Sequence, residues 1–161
     1  MKRRMTLAIV CLLALSLLTA CGGSGTKEVP DVDLAAFCAD KAAEYGWDEN
    51  YLADIEGELL ENYYPGLGDI PAKQLVAKAP MMSFVVNEVV FLQCENEEDA
   101  AKAAAILQER IDTQAEGGAW YPESMEAWGR GQVIQQGTYV AMIASAEHQE
   151  DWADSFNALF A

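Results

Sequence analysis

Aromatic side chains are concentrated between Trp120 and Trp128, a segment that holds two tryptophans and one tyrosine, Tyr121. Gly117-Gly118 and Gly129 border it, so we predict a surface excursion, where binding residues tend to concentrate. The aromatic rings of Trp and Tyr carry an N–H or O–H group, and such side chains commonly bind sugar rings or peptides. We therefore predict that Trp120, Tyr121 and Trp128 form a binding face. The alternative is that Trp120 and Trp128 cover the open edge of the core.

Residue types that commonly perform catalysis are scarce or ambiguous in this chain. His148 is the only histidine, so His-based metal clusters are excluded and any Ser-His-carboxylate triad would depend on this one residue. Glu123 with Glu126 could in principle perform acid/base cleavage of a glycoside. A chain with 26 acidic residues supplies many such pairs by chance. No catalytic residue is therefore predicted.

Clustered acidic residues occupy positions 31–33 and 95–99, but neither cluster follows the order of a 12-residue EF-hand loop. We interpret them as solvated helix starts. The glycines at 22–25 and 129–131 lack the strand and helix context of a phosphate-binding loop. No metal-binding or cofactor-binding residue is predicted.

The N-terminus has the pattern of an export signal. Lys2, Arg3 and Arg4 precede an uncharged apolar run of 16 residues from Met5 to Ala20, which is short of the roughly 20 residues that span a bilayer. The run ends in 18–21, Leu-Thr-Ala-Cys, which resembles the lipobox of bacterial lipoproteins. We predict a signal peptide at 1–20, a lipid on Cys21 and a flexible tether at 21–32. The alternative is conventional cleavage and release.

The charge balance excludes one class of partner. Three of the ten Lys+Arg lie in the first four residues, so the chain after residue 20 has seven basic and 26 acidic residues, a formal charge of −19. Nucleic acids and anionic lipid headgroups bind proteins through clusters of Lys and Arg, and no such cluster follows the leader. We exclude nucleic-acid binding and predict that the acidic surface serves mainly solubility.

Two of the four cysteines could pair after processing, because Cys11 leaves with the leader and Cys21 takes the lipid. Export permits a disulfide between Cys38 and Cys94. Both lie on predicted core faces, where a thiol packs as a small hydrophobe. We favour two buried free thiols over a disulfide.

Capping residues and apolar spacing predict most of the helices. Asp33 and Asn96 are candidate N-caps of two amphipathic helices, which end at Gly46 and at Gly117-Gly118. Further helices are predicted at 58–64, at 122–128 and at the C-terminus around Trp152 and Phe156. The segment 47–57 gives no clear pattern.

Strands are predicted where β-branched and bulky apolar residues run together, at 73–82, 84–94, 132–135 and 138–145. Asn87-Glu88 interrupts the second run and is predicted to form a bulge. Two hairpin-like pairs, each followed by a helix, predict an α+β domain at 33–161. We expect an antiparallel sheet of about four strands packed on one face by helices.

Several segments together resemble one known family. They are Met81-Met82, Asn96 to Arg110, the run from Gly117 to Pro122, and the run from Gly137 to Ile143. Over about residues 33–160 the chain resembles the DUF4358 family, whose members look like small lipoproteins, mainly of Gram-positive bacteria. The resemblance implies a domain on the outer face of the cell membrane. The resemblance implies no particular activity, cofactor or catalytic residue.

The leading functional hypothesis is a non-enzymatic module that binds an envelope protein or a cell-wall component, held on the membrane through its N-terminal lipid. One alternative is an enzyme that acts on the wall through carboxylates. Another is a small lipoprotein that captures a solute. A deep pocket with converging carboxylates would favour the enzyme, whereas an aromatic patch would favour the binding module.

Overall fold

The computed structural model describes residues 30–82 and 84–161. This part of the chain contains five α-helices: α1 (Leu34–Glu44), α2 (Gly57–Tyr63), α3 (Glu97–Thr113), α4 (Pro122–Gly129) and α5 (Gln149–Ala158). It also contains five strands: β1 (Leu52–Asp54), β2 (Ala72–Pro80), β3 (Asn87–Cys94), β4 (Gln132–Gln136) and β5 (Tyr139–Ser145). A short 3-10 helix, Leu67–Asp69, and a π-helical turn, Gln114–Gly118, complete the regular structure.

The strands form one antiparallel sheet in the order β1-β2-β3-β5-β4. The predicted α+β class and antiparallel pairing are confirmed. The sheet has five strands where about four were predicted, because β1 lies in the segment without a clear pattern. With three residues, β1 is too short for alternation to be visible in the sequence, and its pairing with Lys78–Pro80 of β2 defines it.

Helices cover both faces of the sheet, whereas the prediction placed them on one. Helices α2, α3 and α4 pack on the face that carries Val90 and Leu92 of β3, which we call the α3 face. Helices α1 and α5 pack on the opposite face, with Val89 and Phe91, which we call the α5 face. The apolar runs of β3 and β5 do not alternate with polar residues, and such continuous strands are buried on both sides.

Side-chain caps fix the starts of the two helices whose caps were predicted. The Asp33 carboxylate accepts a hydrogen bond from the amide of Ala36 at 2.9 Å, and the Asn96 side chain accepts one from Asp99 at 2.9 Å. Gly46, just after α1, has φ of +72°, a conformation that favours glycine. These helix boundaries therefore follow from local sequence.

The predicted bulge at Asn87-Glu88 is wrong. Both residues pair regularly with Ser145 and Ala144 of β5, and the irregular register lies in β2, between Ala72 and Gln74. The two polar side chains are buried because each has partners, so the strand does not need to bend to expose them. Asn87 bonds to the hydroxyls of Tyr51 and Ser145, both at 2.6 Å.

The first described residues are fastened to one end of the sheet, in an arrangement that we call the N-terminal clamp. Gln74 of β2 donates to the carbonyl of Val32 at 2.8 Å and accepts from the amide of Leu34 at 2.9 Å. The Tyr139 hydroxyl of β5 bonds to the Pro30 carbonyl and the Val32 amide, each at 3.2 Å. The chain therefore enters the domain at the end of the sheet where β2 begins and β3 finishes.

Candidate functional site

A cavity of about 560 Å³ lies on the α3 face, at the end of the sheet where β2 finishes and β3 begins. We call it the aromatic pocket. Four aromatic rings line it, those of Tyr63, Trp120, Tyr121 and Trp128. Four polar side chains contribute as well: Glu88, Arg110, Gln114 and Ser124. Small and apolar residues complete the wall: Ala79, Pro80, Met82, Val85, Gly118 and Ala119.

A change of helix type carries the chain from α3 to the mouth of the pocket. Beyond Thr113 the helix continues as a π turn, closed by a 3.1 Å bond from the Ala119 amide to the Gln114 carbonyl. Such turns frequently occur at functional sites. A Cβ on Gly118 would lie 2.7 Å from Gln114 Nε2 and 2.8 Å from the Thr113 carbonyl. Glycine at 118 is therefore required for this turn to pack against Gln114.

The three aromatic residues singled out from sequence line the same pocket, but they are not equally exposed. Trp120 is 92% exposed and Tyr121 is 59% exposed, just before α4. Trp128, on α4, is 5% exposed and belongs to the core of the α3 face. The ring of Trp120 is thus available to a partner, whereas Trp128 supports the pocket from beneath.

A partly buried ion pair joins β3 to α3 at the pocket. Arg110 donates from Nε to Glu88 Oε1 and from Nη2 to Oε2, both at 2.9 Å. The Tyr64 hydroxyl donates to Glu88 Oε1 at 2.6 Å. Two-pronged bonds of this kind are the strongest and most directional that arginine makes with a carboxylate. The Glu88 carboxylate accepts three hydrogen bonds and is held in one orientation.

Aromatic rings also enclose the guanidinium of Arg110. Its central carbon lies 4.4 Å from the centroid of Tyr63 and 5.2 Å from that of Trp128. The electron-rich faces of these rings attract a cation. Arg110 is therefore fixed by Glu88 on one side and by rings on the others.

The electrostatics of this cluster hold Arg110 in its charged form and Tyr64 in its protonated form. Burial alone would lower the pKa of Arg110, but its hydrogen bonds to Glu88 and the Glu88 charge outweigh burial and raise that pKa. Burial, followed by the negative charge of Glu88, raises the pKa of Tyr64 well above its ordinary value. The tyrosine stays protonated and continues to donate. The pair as a whole adds no net charge to the pocket.

Hydrogen-bonding capacity remains in the pocket. Within residues 30–82 and 84–161, neither Arg110 Nη1 nor the Gln114 carboxamide has a hydrogen-bond partner. Ser124 donates to the Phe84 carbonyl at 3.3 Å and keeps its lone pairs. A bound molecule would therefore meet donors and acceptors beside the aromatic faces.

Exposed apolar side chains extend the pocket's rim. Met82 lines the pocket, and Met81 beside it and Phe84 are also exposed. The bond between Ser124 and the Phe84 backbone ties this loop to the start of α4. Seven large hydrophobic side chains of the described residues are exposed, and five belong to this end of the molecule: Met81, Met82, Phe84, Trp120 and Tyr121.

The carboxylates weighed for catalysis do not converge on the pocket. Glu123 and Glu126 are both exposed on α4, and Glu126 pairs with Arg130 at 3.0 Å. His148 lies before α5 and stacks on Tyr45, with ring centroids 3.8 Å apart. Within the described ranges, no group of three or more His, Cys, Asp or Glu is arranged to hold a metal ion.

Both candidate thiols are free and buried, as predicted. Cys38 packs on the α5 face and Cys94 on the α3 face, so the sheet separates them. Burial raises the pKa of Cys38 to about 11 and also raises that of Cys94. Neither thiol has the lowered pKa of a reactive cysteine.

Sequence reasoning missed the polar half of the pocket. Glu88 was interpreted as part of a bulge, and Arg110 and Gln114 as ordinary residues of an amphipathic helix. A charged residue inside an otherwise apolar strand was the available signal, because a buried carboxylate needs a cationic partner. The identity of that partner depends on how α3 packs against β3.

The predicted signal peptide, Cys21 and most of the tether lie outside the described residues. No helix between residues 30 and 82 or between 84 and 161 is long and apolar enough to cross a membrane.

The comparisons with known proteins identify a family. Neither the curated proteins nor the solved structures contain a match to this chain. Residues 45–145, more than half of the chain, match the family described as "Domain of unknown function (DUF4358)". The match falls within the extent suggested by the sequence and confirms that resemblance. It includes the whole sheet and every described residue that lines the aromatic pocket. The chain belongs to the DUF4358 family.

Proposed function

We propose that this protein is a lipid-anchored extracytoplasmic binding module that captures an envelope protein or a cell-wall component through the aromatic pocket. The exposure of Trp120 is the observation that carries the proposal. A tryptophan that is 92% exposed at the mouth of a cavity contributes little to folding, yet offers a large contact area to a partner.

The surroundings of Trp120 support a binding role. The exposed apolar side chains of the described residues concentrate at this end of the molecule, and concentration of this kind marks interaction sites. The cavity has the size of pockets that hold small molecules or single anchoring groups. Beneath the cavity, the Glu88–Arg110 pair and Trp128 hold the side chains of the pocket in place. This reduces the conformational entropy that is lost when a ligand binds.

The alternative of a carboxylate-dependent enzyme has less support. A glycoside hydrolase of the common type needs two carboxyl groups facing each other across the substrate. The one carboxylate among the described lining residues, Glu88, has no second carboxylate opposite it and already accepts three hydrogen bonds from Arg110 and Tyr64. A binding role needs no proton transfer and is compatible with this arrangement.

The anchoring part of the proposal rests on the sequence from Leu18 to Cys21. Cys21→Ser should abolish metabolic labelling of the protein with palmitate and release it from the membrane fraction. Equal labelling of the wild type and the variant would contradict the lipid anchor.

The binding part is tested on cells that carry the full-length protein. Met82, at the rim, is replaced by the photocrosslinking residue p-benzoylphenylalanine, and irradiation should yield a discrete adduct. Adding Trp120→Ala should abolish the adduct, whereas Leu59→Ala, which removes an exposed apolar side chain elsewhere, should preserve it. No adduct, or an adduct unaffected by Trp120→Ala, would rule out a binding role for the pocket.

A further inference from the structure

We propose that the ligand of the aromatic pocket is an uncharged sugar chain, such as a neutral stretch of wall glycan. This inference rests on the proposed binding function and narrows it to one class of ligand. Two properties of the pocket support it: the charge of the lining, and the arrangement of ring faces and hydrogen-bonding groups.

The described lining of the pocket carries no net charge. Glu88 and Arg110 are its two charged residues and neutralise each other through a two-pronged bond. An anionic ligand would meet the fixed Glu88 carboxylate and the field of a strongly acidic domain. A cationic ligand would find no free carboxylate there, and Arg110 already occupies the faces of Tyr63 and Trp128. The lining therefore favours a ligand without charge.

The lining also combines two features that a sugar ring matches. The exposed face of Trp120 can stack on the apolar face of a pyranose. Arg110 Nη1 and the Gln114 carboxamide, which have no partner within the described ranges, supply donors and an acceptor to hydroxyl groups at the ring edge. An apolar peptide side chain would fill the same space but leave these polar groups buried and unsatisfied, which is unfavourable.

The π turn builds this combination. It places Gln114 and Trp120 in the same lining, separated by Gly118, where a side chain would collide with the Gln114 carboxamide. The polar group and the aromatic face are therefore brought together by one local feature of the backbone.

Isothermal titration of the full-length protein tests the ligand class. The protein is kept in a detergent without a sugar headgroup, because maltosides would compete for the pocket. The probes are the tetramers of N-acetylglucosamine and of glucose, which are neutral, and of galacturonic acid, which is anionic. At least one neutral tetramer should bind, and the anionic tetramer should not. The absence of binding by both neutral tetramers overturns the proposal, as does stronger binding of the anionic one.

Two variants tie the binding to the pocket. Trp120→Ala should lower the affinity for the neutral tetramer by about tenfold, the loss expected for one stacking ring. Gln114→Ala should lower that affinity by less. Leu59→Ala, remote from the lining, should bind as the wild type does. Circular dichroism melts confirm that each variant is folded. Unchanged affinity in folded Trp120→Ala overturns the assignment.

A third variant tests the charge argument. Glu88→Gln preserves a hydrogen-bond acceptor for Arg110 but leaves its positive charge uncompensated. Affinity for the galacturonic acid tetramer should then rise, with a smaller change for the neutral tetramer. If folded Glu88→Gln still rejects the anionic tetramer, the neutral ion pair does not set selectivity and the argument fails.

The photocrosslinked adduct at position 82 separates failure of this inference from failure of the binding function. Collapse of the adduct on digestion with muramidase supports a glycan. An adduct that survives muramidase, and in which mass spectrometry finds peptides of a second protein, shows a protein partner, which overturns the sugar proposal and leaves the binding module standing. The absence of any adduct would overturn both the sugar proposal and the proposed binding function.

Discussion

Aromatic residues gather on both faces of the sheet, but the two groups differ in what surrounds them. On the α5 face, Phe37, Phe91, Trp152 and Phe156 form a closed cluster with centroid separations of 5.2 Å to 6.2 Å. On the α3 face, the ring of Trp120 stands at the mouth of a cavity, with no aromatic partner within the described residues. The first group stabilises the fold, and the second is open to a ligand.

This contrast shows why aromatic content alone does not locate a site. Trp152 and Trp120 are the same residue type, and each lies near a helix start, yet one is fully buried and the other almost fully exposed. The difference arises because α5 packs Trp152 against the sheet, whereas the π turn carries Trp120 past the end of α3. Stability measurements can therefore separate the two groups.

The largest effect is expected in the closed cluster. Trp152→Ala should lower the free energy of unfolding by about 3 to 5 kcal/mol, because it leaves a large cavity beside Phe37 and Phe91. Urea denaturation followed by circular dichroism measures this loss. Trp152→Phe, which refills most of the space, should cost much less. A loss below about 1 kcal/mol for Trp152→Ala would show that the cluster can collapse around the gap.

The next effect concerns the floor of the open pocket. Glu88→Ala leaves the partly buried Arg110 guanidinium without its partner and should cost about 2 to 3 kcal/mol. The double variant Glu88→Ala with Arg110→Met removes both charges and should recover part of that loss. Chemical denaturation of the single and double variants measures their free energies of unfolding. If the double variant is no more stable than the single one, the cost does not arise from an unpaired charge.

A smaller effect depends on pH and again involves the closed cluster. The folded-state pKa of Cys38, about 11, lies above its ordinary value of 9.0, so its stabilising contribution is complete below pH 9. It is lost as pH rises towards 11, and the loss amounts to roughly 2 to 3 kcal/mol. Melting temperatures between pH 8 and pH 11 should therefore fall less steeply for Cys38→Ala than for the wild type. Parallel slopes would contradict the burial of this thiol.

The smallest effect on stability is expected where the effect on binding is largest. Trp120→Ala should change the free energy of unfolding by less than about 0.5 kcal/mol, as exposed substitutions usually do. Trp128→Ala is the matched control eight residues along the chain and should cost about 3 kcal/mol. Denaturation curves of both variants make the comparison. A large loss for Trp120→Ala would assign this ring to the core and remove it from the proposed site.

Most of the fold could be predicted because its signals are local. Asp33 and Asn96 mark helix starts through their own side chains, and glycines mark the ends. The coverage of both faces was also encoded, in the continuous apolar run of β5, but this run was assigned to a sheet with one covered face. Strand β1 could not be predicted, since it exists only through its pairing with β2.

The candidate site was predictable only in part. Trp120 and Tyr121 stand in a segment bordered by glycines, which is visible in the sequence. Glu88 and Arg110 lie 22 residues apart and meet because β3 and α3 pack against each other. Pairing of this kind depends on tertiary structure, and no spacing rule expresses it.

The N-terminal clamp has a consequence for how the domain stands above the bilayer. Pro30 and Val32 are fastened at one end of the sheet, and the aromatic pocket opens at the other. Strand β3, with 8 residues, separates these ends by about 25 Å. In a chain anchored through Cys21 as proposed, the nine residues from Cys21 to Val29 add a reach of at most about 30 Å. With that tether fully extended, the pocket could reach up to about 55 Å from the membrane surface, because it opens at the end of the sheet opposite the attachment.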